Sequence, residues 1–171
     1  MKKLIIPCVG VTFLQAGDIV SVSGVVYTAR DATHKLLVEC IKKGLPLPFD
    51  ISGQAIYYAG PTAAPPGAVI GSCGPTTAAR MDCFTPPLLE RGLKVMIGKG
   101  VRSPEVVAAI KRHKAVYLSA VGGAAALISG KIVSAERVAY AHLGCEQVLR
   151  LEIRGLEAVV SVDSEGNVFG R

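Results

Sequence analysis

Tryptophan is absent from these 171 residues, and aromatic side chains make up only 5% of them. Surfaces that hold single-stranded nucleic acid stack bases on aromatic platforms, so this scarcity argues against that role. Charge is sparse as well. Charged residues are 19% of the chain, against roughly 25% in ordinary soluble domains, which implies that a partner covers part of the surface. The five cysteines (Cys8, Cys40, Cys73, Cys83 and Cys145) form no Cys-x-x-Cys pair, and their number is odd. That pattern suits free thiols in a cytoplasmic protein and does not suit a zinc or cluster site built from this chain alone. No apolar run approaches the ~20 residues of a membrane helix. Leu4-Ile5-Ile6-Pro7, after Lys2-Lys3, is too short for the apolar part of a signal peptide. A membrane role is therefore not expected.

Half of the residues are hydrophobic, with 19 glycines and 10 prolines. This is enough apolar material for the core of one domain spanning residues 1–171. Formal net charge is +6, which makes nucleic acid an alternative partner. The basic residues are dispersed, however. The densest runs, Lys42-Lys43 and Lys111-Arg112-His113-Lys114, fall where predicted helices end and where cations suit the helix dipole. Nucleic acid is not expected.

Strand and helix patterns alternate along the chain, which places it in the α/β or α+β class. Residues 17–28 read as a strand bent at Gly24. Asp31 to Gly44 read as a helix, with Asp31 as N-cap and Gly44 as its C-terminal stop. Strands are expected at 55–59, 68–72, 93–97, 115–120, 133–140 and 158–162. Ser103-Pro104-Glu105 opens a helix reaching His113. Helical turns are expected at 86–92, 122–129 and 146–150.

Four places combine a cation or hydroxyl with a glycine or a helix start. Arg30-Asp31 lies where a strand hands over to a helix, and free backbone N–H groups there favour an anion. A guanidinium at that point can hold a carboxylate through two parallel bonds, although Asp31 can equally cap the helix and pair with Arg30. Gly74-Pro75-Thr76-Thr77 is followed by Arg80. If 76–80 is a helical turn, Thr76 and Arg80 share a face. The plain alternative is a capped helix with a surface arginine. Lys99 stands between two glycines but lacks a nucleotide-loop pattern, and it can equally be an exposed turn. Val121-Gly122-Gly123-Ala124 suits either ligand approach or close helix packing. His34 is a weaker acid–base candidate, and Cys73 and Cys83 match no metal template.

In chain order, Thr28-Ala-Arg-Asp-Ala-Thr-His-Lys35, Tyr57-Tyr-Ala-Gly-Pro-Thr62, Gly71-Ser-Cys-Gly-Pro-Thr-Thr-Ala-Ala-Arg-Met-Asp82, Met96-Ile-Gly-Lys-Gly100 and Val121-Gly-Gly-Ala-Ala-Ala-Leu127 together resemble one family. It is the beta subunit, or C-terminal domain, of class I fumarases and L-tartrate dehydratases, and the resemblance spans about residues 12–168. It implies a single swivelling β/β/α domain. It also implies a hydro-lyase that reversibly hydrates fumarate to L-malate, active only with an alpha subunit. A [4Fe–4S] cluster would be held by that alpha partner, two copies of each subunit would assemble, and no metal ligand would come from this chain. Residue by residue, the resemblance places Arg30, Arg80 and Lys99 on substrate-binding positions. Asp31 and Gly74 lie beside them, Thr76 falls on the position of the catalytic base, and Thr77 is next to it. An L-tartrate dehydratase beta subunit and a non-catalytic anion-binding module are the alternatives.

Overall fold

The computed structural model describes residues 1–120 and 125–170. Among the described residues seven strands form one mixed sheet: β1 (Lys2–Ile6), β2 (Ile19–Thr28), β3 (Ala55–Tyr57), β4 (Val95–Gly98), β5 (Val116–Ala120), β6 (Ile132–Ala139) and β7 (Val148–Val162). Four α-helices join them among the described residues: α1 (Asp31–Lys42), α2 (Thr85–Glu90), α3 (Pro104–His113) and α4 (Ala125–Ser129). Short 3-10 segments occupy Ala78–Phe84 and Ala141–Glu146, the second kinked at Gly144.

The pairing runs β2–β3–β4–β5–β7 and returns to β2. Five strands therefore close on themselves, and β1 and β6 extend the sheet from β2 and β7. Side chains alternate across this wall, as a period of two requires. Tyr57, Ile97, Leu118 and Val160 point inward and pack with Val22 and Leu151. The other face of β3, β4 and β5 carries Ile56, Met96 and Tyr117, which pack against Leu37 of α1, Leu88 of α2 and Ile110 of α3. Helices thus cover one side of the parallel strands, and the folded-over sheet covers the other.

The fold positions the site through one feature of topology. Strands β2, β3, β4 and β5 run parallel, so their C-terminal ends share one edge. Arg30 follows β2, Tyr58 to Gly60 follow β3, and Lys99 follows β4. In open α/β sheets this is the edge where ligands sit.

The bend expected at Gly24 is present. The β2–β7 register shifts between Val22 and Gly24, and Gly24 has φ +106°. A Cβ there would collide with the carbonyl oxygen of Ile6, so only glycine fits. Gly44, with φ +65°, ends α1 as expected. Ser103 caps α3, its Oγ accepting the N–H of Val106 at 3.4 Å.

Several expectations are corrected. Residues 68–72 form no strand, because Pro65, Pro66 and Gly67 leave that stretch in a loop. Residues 148–150 belong to β7 rather than to a helix, since their backbone pairs with both β2 and β6. The first strand, β1, has no turn signals to reveal it, yet Leu4 and Ile6 are buried while Lys3 and Ile5 are exposed. Asp31 is the first helical residue, and Arg30 holds the N-cap position without a side-chain cap. A distant residue, Glu146, caps the helix instead, because its Oε2 accepts the N–H of Ala32 at 2.8 Å. The Val121-Gly122-Gly123-Ala124 candidate lies outside the described residues.

Candidate functional site

Thr76 and Arg80 do not share a helical turn. The 3-10 segment begins at Ala78, and Thr76 is held extended between the ends of two strands. Its N–H donates to the Tyr58 carbonyl at 2.7 Å, and its own carbonyl accepts the Lys99 N–H at 3.1 Å. The Ala78 N–H then donates to the Lys99 carbonyl at 2.9 Å. Backbone already paired on both sides cannot also be helical. The outcome still brings the candidates together. Thr77 and Lys99 face each other across a β-bridge, and Arg80 lies on the turn that starts one residue after Thr77. The Thr76 hydroxyl donates to the Tyr58 carbonyl at 3.0 Å, which leaves its oxygen lone pairs as the groups it can offer a ligand. Gly74 packs at the start of α4, where an added Cβ would lie 2.9 Å from the Ala125 Cβ.

The two arginines meet on Asp31. Its Oδ2 lies 3.5 Å from Nη2 of Arg80 and 4.0 Å from Nη2 of Arg30. A second carboxylate, Glu146 Oε1, stands 3.7 Å from Nη2 of Arg30. All of these separations exceed those of strong charge-assisted hydrogen bonds, about 2.7–2.9 Å. The Nε of Arg30 is buried without a partner among the described residues. Arg30 is thus a guanidinium whose donors are largely uncommitted, which is the condition for capturing an anion. It lies over Gly60, where a Cβ would come within 2.7 Å of its Nη1. Arg80 and Lys99 are exposed and Thr76 is half-buried, so the cluster forms an open face and not a closed cavity.

Two residues outside the sequence prediction hold this arrangement. Glu146 is one. It was hidden because it reaches α1 from more than a hundred residues away, and no local pattern records that. Arg102 is the other. Its side chain is 0% exposed and bonds Asp82 Oδ1 at 2.7 Å. It also donates to the Tyr58 hydroxyl at 3.0 Å and to Thr85 Oγ1 at 2.7 Å. Desolvation opposes its charge, but Tyr58 and Asp82 hold it protonated above its ordinary range. The Ser103 N–H donates to the other Asp82 oxygen at 2.8 Å. Arg102 thereby ties the turn bearing Arg80 to the loop bearing Lys99.

His34 is buried and anchors the Arg30 backbone. Its N–H and its Nδ1–H both donate to the Arg30 carbonyl, each at 2.8 Å. Burial lowers its pKa to about 4, with the nearby Arg102 charge adding to the effect. The ring is neutral at physiological pH and is committed to structure. Because the folded pKa lies below the ordinary value of 6.5, the unfolded chain binds more protons between these limits. Stability from this group is full above pH ~6.5 and is lost as pH falls toward ~4, by roughly 3 kcal/mol in all. Urea unfolding at pH 5 and pH 7.5 should show this loss, and His34→Gln should reduce it. An equal pH dependence in the variant would assign the effect elsewhere.

Burial pushes the Cys73 thiol up to about 12, so it stays protonated. Cys83 and Cys145 are exposed, and all five cysteines are free. Among the described residues no three His, Cys, Asp or Glu side chains group as metal ligands. Among them also, no helix is long and apolar enough to cross a membrane.

Comparison with known proteins gives a consistent picture. The family model described as the fumarase C-terminus matches residues 9–170. The aerobic class I fumarate hydratase of Escherichia coli is 41% identical over 151 residues, covering 87% of this chain and 28% of the relative. The mitochondrial fumarate hydratase 1 of Leishmania major is 38% identical over 151 residues, covering 87% and 28%. The putative L(+)-tartrate dehydratase subunit beta of Methanocaldococcus jannaschii is 36% identical over 160 residues, covering 90% of this chain and 82% of the relative. The chain thus spans little more than a quarter of those fumarate hydratases but most of the tartrate dehydratase subunit.

Proposed function

Because the chain belongs to the fumarase C-terminus family, we propose that it is the dicarboxylate-binding subunit of a hydro-lyase that reversibly hydrates fumarate to L-malate. The observation that carries this reading is the convergence of Arg30 and Arg80 on one carboxylate oxygen of Asp31. Two guanidinium groups brought to one carboxylate can equally receive the carboxylates of a small dianion. Removing the proton next to a carboxylate builds further negative charge on that carboxylate. Fixed cations beside it stabilise the transition state more than the ground state. In this reading Arg30 and Arg80 each take a substrate carboxylate, and Lys99 adds charge from the adjoining strand end. Asp31 keeps both arginines aimed, and Gly74 allows close approach. The Thr76 oxygen relays the substrate proton, taking it as its own hydroxyl proton passes to a base supplied by the covering partner, with the Thr77 hydroxyl beside it. A neutral threonine hydroxyl is too weak a base to hold that proton itself, so its own proton must leave in the same step.

The open face supplies the second half of the proposal. Among the described residues no three His, Cys, Asp or Glu side chains group to hold a cluster. We assign the [4Fe–4S] cluster, which supplies Lewis-acid activation of the departing hydroxyl, to a separate cytoplasmic alpha subunit. That subunit closes over the arginines in an assembly with two copies of each chain. The sheet folded on itself, with helices on one side, supports the swivelling β/β/α domain type over residues 1–171. The likeness to a protein named L(+)-tartrate dehydratase subunit beta favours a second reading, L-tartrate dehydration at the same site.

The test is co-production with the alpha subunit followed by anaerobic steady-state assays on fumarate, L-malate and L-tartrate. Turnover of fumarate and malate supports the first reading, and preference for tartrate supports the second. Carboxylate binding without turnover would make the chain a non-catalytic anion-binding module. Gly60→Ala offers a milder probe, because the new Cβ would crowd the Arg30 guanidinium and the Cys145 carbonyl. We expect kcat/KM to fall about tenfold or more while unfolding free energy changes by less than ~1 kcal/mol. Unchanged kinetics would place Arg30 outside the reaction.

A further inference from the structure

We infer that Glu146 is the positioning residue for Arg30, and this rests on the dicarboxylate reading of the site. The segment Glu146–Gln147 grips the junction between β2 and α1 at several points. The Thr28 hydroxyl donates to the Gln147 carbonyl at 3.1 Å and accepts the Leu149 N–H at 3.0 Å. The Thr33 hydroxyl donates to the Glu146 carbonyl. Next to them, the Cys145 carbonyl lines the space beside Gly60 and Arg30. Residues from opposite ends of the chain are thereby locked around Arg30.

The two carboxylate oxygens of Glu146 have different partners. Oε2 accepts the Ala32 N–H at the start of α1 at 2.8 Å, where the helix dipole also favours an anion. That bond fixes the carboxylate in place. Oε1 then stands 3.7 Å from Arg30 Nη2, close enough to attract the cation and too far to hydrogen-bond it. The guanidinium is held in direction while its N–H groups stay available. Without the Glu146 charge, the nearest remaining anion is Asp31, 4.0 Å away. Arg30 would then turn onto Asp31 and spend on it the donors that a substrate needs.

Glu146→Gln separates this role from a structural one, because the amide oxygen can still accept the Ala32 N–H while the charge is gone. In the assembled enzyme the variant should raise KM for the dicarboxylate about tenfold and leave kcat within about threefold, with melting temperature unchanged. Glu146→Ala should raise KM similarly and also lower the melting temperature. A second readout is succinate binding to the full chain, followed by NMR titration, with Glu146→Gln weakening it about tenfold. Wild-type binding that Arg80→Ala abolishes and Glu146→Gln leaves unchanged or tightens would overturn the role of Glu146 alone. Wild-type protein that neither binds succinate nor turns over a dicarboxylate in the assembly would overturn the site and this inference with it.

Discussion

Replacing Arg80 with alanine should lower kcat/KM of the assembled enzyme by about three orders of magnitude, equivalent to roughly 4 kcal/mol of transition-state stabilisation. The expectation follows from where the side chain spends its charge. Its recorded ion pair is with Asp31 at 3.5 Å, with side chains 46% and 38% exposed. An ion pair so open to water contributes no more than about 1 kcal/mol to folding, so the variant should keep the melting temperature of the parent. In the proposed assembly, covered by a partner and facing a substrate carboxylate, the same guanidinium would act in a water-poor site where its field is screened far less. Lysine at this position should restore little, because a point charge cannot reproduce a planar two-bond grip. Asp31→Asn should cost less than either arginine, since it removes the aiming group and leaves both cations. Near-normal turnover by Arg80→Ala, with the fold intact, would remove this cluster from the reaction.

The parts of this site visible in the sequence share a physical reason. Arg30, Thr76, Arg80 and Lys99 each follow a glycine, proline or strand end within a few residues, and such short-range patterns mark where a chain leaves a sheet. Parallel pairing then collects those exits on one edge, so separate motifs become one place. The hidden parts act over long range. Glu146 caps α1 from the far end of the chain, which is why Asp31 could be mistaken for the cap. Thr76 looks like the first residue of a helical turn until its backbone is seen paired with Tyr58 and Lys99. The long strand β7 was half visible. Gly155, with φ +67°, interrupts its alternation, and its first residues follow a 3-10 turn that reads as helix. Local propensity loses in each case to a partner distant in sequence.

Arg102 shows the same point most strongly, and its replacement carries the largest expected effect on stability. Nothing in Gly100-Val101-Arg102-Ser103 distinguishes this arginine from a surface residue at the start of a helix. In the fold its guanidinium lies 5.0 Å from the Tyr117 ring centroid and 5.4 Å from that of Tyr58, and its polar contacts reach Asp82, Tyr58 and Thr85. Alanine would leave Asp82, whose side chain is only 15% exposed, without its cation, and would open a void between two aromatic rings. Breaking a buried pair by removing one partner costs about 3–5 kcal/mol, which at this chain length lowers the melting temperature by roughly 10 °C. Removing Asp82 as well should cost less than the sum of the two single changes, because the second change no longer strands a charge. Thermal unfolding of the single and double variants measures both quantities. Additive losses would mean that Arg102 and Asp82 act independently. The turn carrying Arg80 would then owe its position to the apolar packing of Ala78 and Met81, and not to the buried ion pair.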